Sequence, residues 1–184
     1  MTTHVALLRG INVGGRNKIP MADLRLAVSS LGYAGVSTYI QSGNVLFSTA
    51  EPDTAVLEAA LGDVIATTFG LKIGVVVVTR DQLARVLSDN PYPDEPNPKY
   101  VHVVFLGGEP DQALRDRLEA ASDAAAAKGT RDSVTILGRT LYLHTPDGYG
   151  TSELSQAVLR ITTAVNGTAR NLATTTKLLA LAAG

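Results

Sequence analysis

"VSTYIQSGNVLFS", residues 36–48, decides how this chain is read. "VSTYIQ" (36–41) and "VLFS" (45–48) are rich in β-branched and aromatic residues, and the "SGN" between them fits a tight hairpin connection. Before the hairpin, Met21, Leu24, Val28 and Leu31 recur at helical spacing, entered through Pro20 and left through Gly32. After it, Val56, Leu57, Ala60, Leu61, Val64, Ile65 and Phe69 form a wide helical stripe that follows Glu51-Pro52 and ends at Gly70. Outermost are two apolar runs, "HVALLR" (4–9) and "KIGVVVVT" (72–79), which read as strands. A hairpin framed in this way gives the order βαββαβ.

The same order returns downstream. "YVHVVFL" (100–106) is a strand, and "PDQALRDRLEAASDAAAA" (110–127) has strong helix propensity. "SVTIL" (133–137) and "TLYLH" (140–144) flank Gly138-Arg139 as a second hairpin. "SELSQAVLRITTAV" (152–165) puts Leu154, Val158, Ile161 and Val165 on one helical face, a short strand near "GTAR" (167–170) completes the set, and a helix over 174–183 is left over. Thr79 and Gln82 have capping-box spacing for a short helix between the halves. "DNPYPDEPNP" (89–98), with four prolines, reads as a linker. The halves share no letter-level similarity, so the repeat is one of element order. The expected class is α+β: two tandem ferredoxin-like βαββαβ units with antiparallel sheets, over 1–80 and 100–184, joined by a helix and linker over 81–99, with a C-terminal helix.

Composition narrows the function. The chain has 184 residues and is 45% hydrophobic, as ordinary globular proteins are, and its net charge of −1 provides no global field for nucleic acid or an anionic membrane. Absence of cysteine removes disulfides, thiolate nucleophiles and cysteine-held metals. "MTTHVALLRG" lacks the form of a signal peptide, and no apolar stretch approaches a membrane span, so the expectation is a cytoplasmic protein without membrane contact.

"LLRGINVGGRNKIP" (7–20) is the segment that invites a functional reading. Gly10 and Gly15 have the spacing of the phosphate-loop pattern GxxxxGK[ST], but Arg16 stands for the lysine and Asn17 for the hydroxyl, and the helix starts several residues too late. The dinucleotide pattern GxGxxG fails at Asn12. Asn12, Arg16 and Lys18 nevertheless supply donors with no balancing carboxylate, and Gly10, Gly14 and Gly15 permit a concave nest of backbone amides. The residues alone also fit a basic, flexible turn.

"LLRGINVGGRNKIPMADLR", "TYIQSGNVLF", "HTPDGYGTSEL" and "TARNLATTTKL" occur in the order, and nearly the wording, of a bacterial domain-of-unknown-function family numbered 1697, which the chain resembles from about residue 4 to residue 181. The resemblance implies that the glycine loop and the hairpin turn are family hallmarks; it implies no activity. Two departures stand out. Gly150-Thr151-Ser152-Glu153-Leu154 replaces a family pattern like GRSKL, with loss of two basic residues. Arg170-Asn171-Leu172-Ala173-Thr174 replaces one like RNWNT, with loss of an aromatic and an amide, while Arg170, Asn171 and Lys177 still match.

Arg9, at the end of the first strand, is either salt-bridged or an anchor for phosphate or carboxylate. Gln41, Ser42 and Asn44 surround the hairpin turn, which needs its Gly-Asn but not its Gln41. The histidines His4, His102 and His144 lack metal-pair spacing, so no metal and no cofactor is expected. RNA recognition by a βαββαβ sheet needs aromatics on its first and third strands; the first has none and the third only Phe47, so nucleic acid is weakly supported as a partner. The leading expectation is a binding protein for a small anionic, phosphate-bearing ligand. It would be held by Arg9, Asn12, Gly14, Gly15, Arg16, Lys18, Gln41, Ser42, Asn44, Arg170, Asn171 and Lys177. Two alternatives stay open: an enzyme using His144 or Asp147 as a base, and a non-catalytic interaction module, including a homodimer.

Overall fold

Along residues 2–183, which the computed structural model describes, the first half folds as β1 (Thr2–Leu8), α1 (Met21–Ser29), β2 (Ala34–Tyr39), β3 (Asn44–Thr49), α2 (Thr54–Phe69) and β4 (Val75–Thr79). Its four strands form one antiparallel sheet in the order β2-β3-β1-β4, with Val5 opposite Leu46 and Val78. Strand alternation turns Ala6, Leu8, Val45, Phe47, Val75 and Val77 to one face, where they meet Leu24 and Val28 of α1 and Leu57, Leu61 and Ile65 of α2. Val5, Leu7, Leu46, Val76 and Val78 on the opposite face are buried as well. Burial on both faces explains why these strands read as unbroken apolar runs.

Side chains finish the ends and the edge. Asp53 caps α2 by accepting from the Ala55 N–H at 2.8 Å, and Glu51 takes the N–H of Asp53. On the edge strand β4, the Val77 N–H donates to Glu58 Oε1 at 2.9 Å and the Thr79 N–H to Gln82 Oε1 at 2.7 Å, so neither is offered to another strand. The second of these bonds is half of a reciprocal capping box, since the Gln82 N–H donates to Thr79 Oγ1, and it opens α3 (Arg80–Ser88).

The second half repeats the plan with β5 (Val101–Phe105), α4 (Gln112–Ala127), β6 (Ser133–Leu137), β7 (Thr140–His144), α5 (Glu153–Ile161) and β8 (Thr168–Asn171), and the sheet order is β6-β7-β5-β8. α6 (Leu172–Ala182) follows. Leu114, Leu118, Leu154 and Val158 of the helices pack on Val104, Leu141 and Leu143. The buried Tyr142 hydroxyl donates to the Val86 carbonyl at 2.8 Å.

The two units are thus ferredoxin-like, in agreement with the sequence pattern. One runs through Ala84 and takes up the chain again from Lys177; the other is Arg85–Thr176. Some boundaries differ from the pattern. The helix expected over 152–165 stops at Ile161 and tightens into a 3₁₀ turn, Thr162–Val165. There Thr162 and Thr163 hydroxyls bond back to the carbonyls of Val158 and Leu159, competing with the helix ladder. α6 starts earlier than expected because Asn171 Oδ1 accepts the Thr174 N–H at 2.8 Å. No helix among the described residues is long and apolar enough to cross a membrane.

Candidate functional site

Residues 10–18 cross from β1 to α1 between two buried anchors, Ile11 and Ile19. Between them the chain folds into a miniature hairpin. The Arg16 N–H donates to the Val13 carbonyl at 3.0 Å, and Gly14 and Gly15 have φ of 56° and 76°. Two successive positive φ angles are those of a type I′ turn, which glycine adopts without steric cost. The Asn12 N–H donates to the Asn17 carbonyl, and Asn17 Nδ2 donates to the carbonyl of Gly10. The loop therefore has a fixed internal architecture rather than the open cradle of a phosphate loop.

Asn12 is the clasp. Its Nδ2 donates to the Ile19 carbonyl at 3.0 Å and to the Gln41 carbonyl at 2.9 Å, and its Oδ1 accepts the Ile19 N–H at 2.9 Å. Both amide hydrogens are spent, and two carbonyls on one side of the amide with a backbone N–H on the other fix which way it points. The bond to Gln41 joins the loop to the hairpin turn of residues 40–43. That turn is also pinned from below: the Leu8 N–H donates to the Gly43 carbonyl at 2.8 Å. A Cβ on Gly43, whose φ is 79°, would lie 2.7 Å from Ile11 Cδ1 and 2.8 Å from Leu8 Cβ. Asn44 is buried, with Nδ2 donating to the Tyr39 carbonyl and to Ser42 Oγ.

The anticipated site residues thus divide. Gly14, Gly15, Arg16 and Lys18 are exposed at the loop tip, and Gln41 is exposed on the adjoining turn. Among the described residues neither Arg16 nor Lys18 has a carboxylate within ion-pair distance. Val13 and Ile40 are exposed beside them, 63% and 48%, and Ile40 holds a φ of 50° that a β-branched residue rarely adopts. Arg9 is half-buried, and desolvation lowers its guanidinium pKa. Arg170 and Asn171 belong to the other unit. Arg170 is buried, donates to Thr168 Oγ1 and the Ala169 carbonyl, and is pushed down to about 10 by desolvation. Asn171 caps α6, and Lys177 is exposed on that helix.

The two candidate bases are engaged. His144 Nε2 lies 2.7 Å from Glu95 Oε2, and the ring stacks on Tyr92 at 4.8 Å. Tyr92 in turn bonds Ser133 and Thr135 through its hydroxyl. A hydrogen bond from the Asn97 N–H, then one from His144, hold the Glu95 carboxyl below its usual range. The proline-rich segment over 89–98 is therefore fastened to β6 and β7. Asp147 is paired with Arg131, which lowers its pKa. His102 stacks on Tyr149 at 3.7 Å; burial pushes the imidazole down to about 4 and the phenol up to about 12. Among the described residues no group of three or more His, Asp or Glu could hold a metal ion.

One feature of the second unit has no counterpart in the sequence reading. A groove of about 660 Å³ runs between α4 and α5, and both departures from the GRSKL-like pattern, Thr151 and Glu153, line it. Among its charged residues, Asp132 and Arg160 are 28 residues apart in the chain, a spacing that matches no motif.

A family model described as "Protein of unknown function (DUF1697)" matches residues 1–142, which takes in both the glycine loop and the hairpin turn. No curated protein matches the sequence. Among solved structures, a conserved bacterial protein from Streptococcus pneumoniae is similar over 98% of each chain, with a TM-score of 0.71 and 22% identity. That likeness carries the fold.

Proposed function

The chain belongs to the DUF1697 family, a family of unknown function, and from that premise we propose that it binds a small anionic, phosphate-bearing ligand at the tip of the 10–18 loop. The observation that carries this reading is a division of labour. Asn12, Asn17, Ile11 and Gly43 hold the loop against the turn, while the side chains of Arg16 and Lys18 stand exposed outside that scaffold. Neither residues 10–18 nor residues 40–44 contain an acid, so the local field is positive although the chain as a whole is near neutral. A loop ordered before binding loses little freedom when it closes on an anion. Arg16 supplies a planar fork for two phosphate oxygens, and Lys18 adds a point charge. Exposed Gln41 and half-buried Ser42 adjoin the loop through the Asn12 bond and can orient the ligand's polar groups.

Calorimetric titration and thermal shift with inorganic phosphate, nucleoside monophosphates and sugar phosphates test the reading. A ligand at 100 times its Kd adds about 2.7 kcal/mol of stability. The Arg16→Ala, Lys18→Ala double variant should keep the wild-type melting temperature without ligand and lose the ligand-induced rise. A panel that leaves the wild type unmoved, or a double variant that responds as the wild type does, removes the proposal.

A further inference from the structure

The groove between α4 and α5 has an apolar floor made by Ala121, Ala125, Leu154 and Ala157. Its volume of about 660 Å³ is that of a small-molecule site. Its polar groups are unlike those of the loop tip. Ser152, the N-cap of α5, donates from Oγ to Asp132 Oδ2 at 2.6 Å while accepting the Ser155 N–H, and Glu153 occupies the first turn. The positive end of α5 is thus already supplied with the protein's own carboxylates, which leaves a place for a cation and none for an anion.

The remaining charges sort themselves. Lys128 pairs with Glu153 and Arg131 with Asp147, so these four cancel at the rim. Among the described residues no cation lies within ion-pair distance of Asp132, although the charge of Arg131 also acts on it, and no carboxylate lies within that distance of Arg160. Ser152, Gln156 and Arg160 follow one another at intervals of four, so they lie along one face of α5 and all line the groove. Eight residues of helix separate the two ends by about 12 Å.

We propose that this groove binds a short peptide, with its ammonium group on Asp132 and its carboxylate on Arg160. Three extended residues span about 10 Å, which matches the separation once side-chain reach is included. Gln156, midway, offers both a donor and an acceptor to a peptide group, and the alanine-lined floor takes small side chains. This site is independent of the anion-binding loop and uses none of its residues.

The test is a titration of the full-length, isotope-labelled protein with trialanine, N-acetyl-trialanine and trialanine amide, followed by amide chemical shifts. Saturable shifts at Gln156, Ala157 and Arg160 are expected with trialanine, and each blocked peptide should bind about tenfold more weakly or worse, the loss expected of one charge-assisted bond. Asp132→Asn keeps an acceptor for Ser152; it should weaken trialanine but leave the N-acetyl peptide unchanged. Arg160→Gln, on the exposed end of the helix, should weaken trialanine and leave the amide unchanged, and it stands if the Asp132 variant folds poorly. No saturable shift at millimolar trialanine, or equal binding of blocked and free peptides, overturns the proposal.

Discussion

The side-chain amide of Asn12 reaches 2.9 Å across to the backbone carbonyl of Gln41, and with that bond two loops far apart in sequence become one structure. The same side chain closes its own loop onto both backbone groups of Ile19. Asn12 carries a φ of 54°, which asparagine tolerates better than most residues. Removing it in Asn12→Ala should cost about 2–3 kcal/mol, since three bonds are lost at a part-buried site and alanine is strained at that φ. Asn12→Asp is the sharper variant. It keeps the acceptor for Ile19 but turns an oxygen toward two carbonyls, so it should destabilise at least as much as alanine. Urea unfolding of both variants checks the order; an aspartate variant near wild-type stability would mean the amide is not the clasp.

Gly43 should be equally intolerant, for a different reason. A Cβ there meets Ile11 Cδ1 at 2.7 Å and Leu8 Cβ at 2.8 Å, and Leu8 cannot swing aside because its backbone N–H is bonded to Gly43 itself. With φ at 79° as well, Gly43→Ala should lose about 2–4 kcal/mol. Ile11 Cγ1 lies 2.9 Å away as well, so adding Ile11→Ala relieves both Ile11 contacts and leaves only that with Leu8, and the double variant should lose less than the sum of the single ones. Strict additivity would show that the Ile11 contact is not the source of the cost.

The elements were legible because local signals agreed with the tertiary structure. Gly70 ends α2, the Thr79–Gln82 box opens α3, and the two hairpins set the order of strands. The site was less so. Nothing in "RGINVGG" says that Asn12 has no amide hydrogen left for a ligand, because its partners Ile19 and Gln41 come from positions that only folding brings near. β2 lies two residues earlier than the 36–41 pattern suggests, since Ile40 looks like a strand residue yet takes a positive φ in the turn. The proline-rich segment had no periodicity from which its attachment through Tyr92 and Glu95 could be read. Chemistry carried by single long-range bonds leaves no pattern in the chain.

Tyr142 offers a test of the second unit's interior. Its hydroxyl bonds the Val86 carbonyl in a buried setting, and desolvation raises the phenol to about 12. Tyr142→Phe leaves the ring packing intact but orphans a buried carbonyl, so a loss of about 1–2 kcal/mol is expected, with no change in the cooperativity of unfolding. Denaturant melts with unchanged slope and a lower midpoint would bear this out.

The acid side of the stability profile should be dominated by His102. Folded, its imidazole titrates at about 4 because burial against Tyr149 disfavours the charged ring; unfolded, it returns to the ordinary imidazole value of 6.5. Below pH 6.5 the unfolded chain therefore binds a proton that the folded one refuses, and stability falls until about pH 4, where both forms are protonated. The total loss is up to about 3 kcal/mol. Glu95, held below its usual range, adds to the loss as pH drops through its folded pKa. His102→Phe keeps an aromatic ring against Tyr149 and cannot titrate. Urea melts at pH 7.5, 5.5 and 4.5 should show a steep decline for the wild type and a much flatter one for the variant. Parallel declines would assign the acid sensitivity elsewhere.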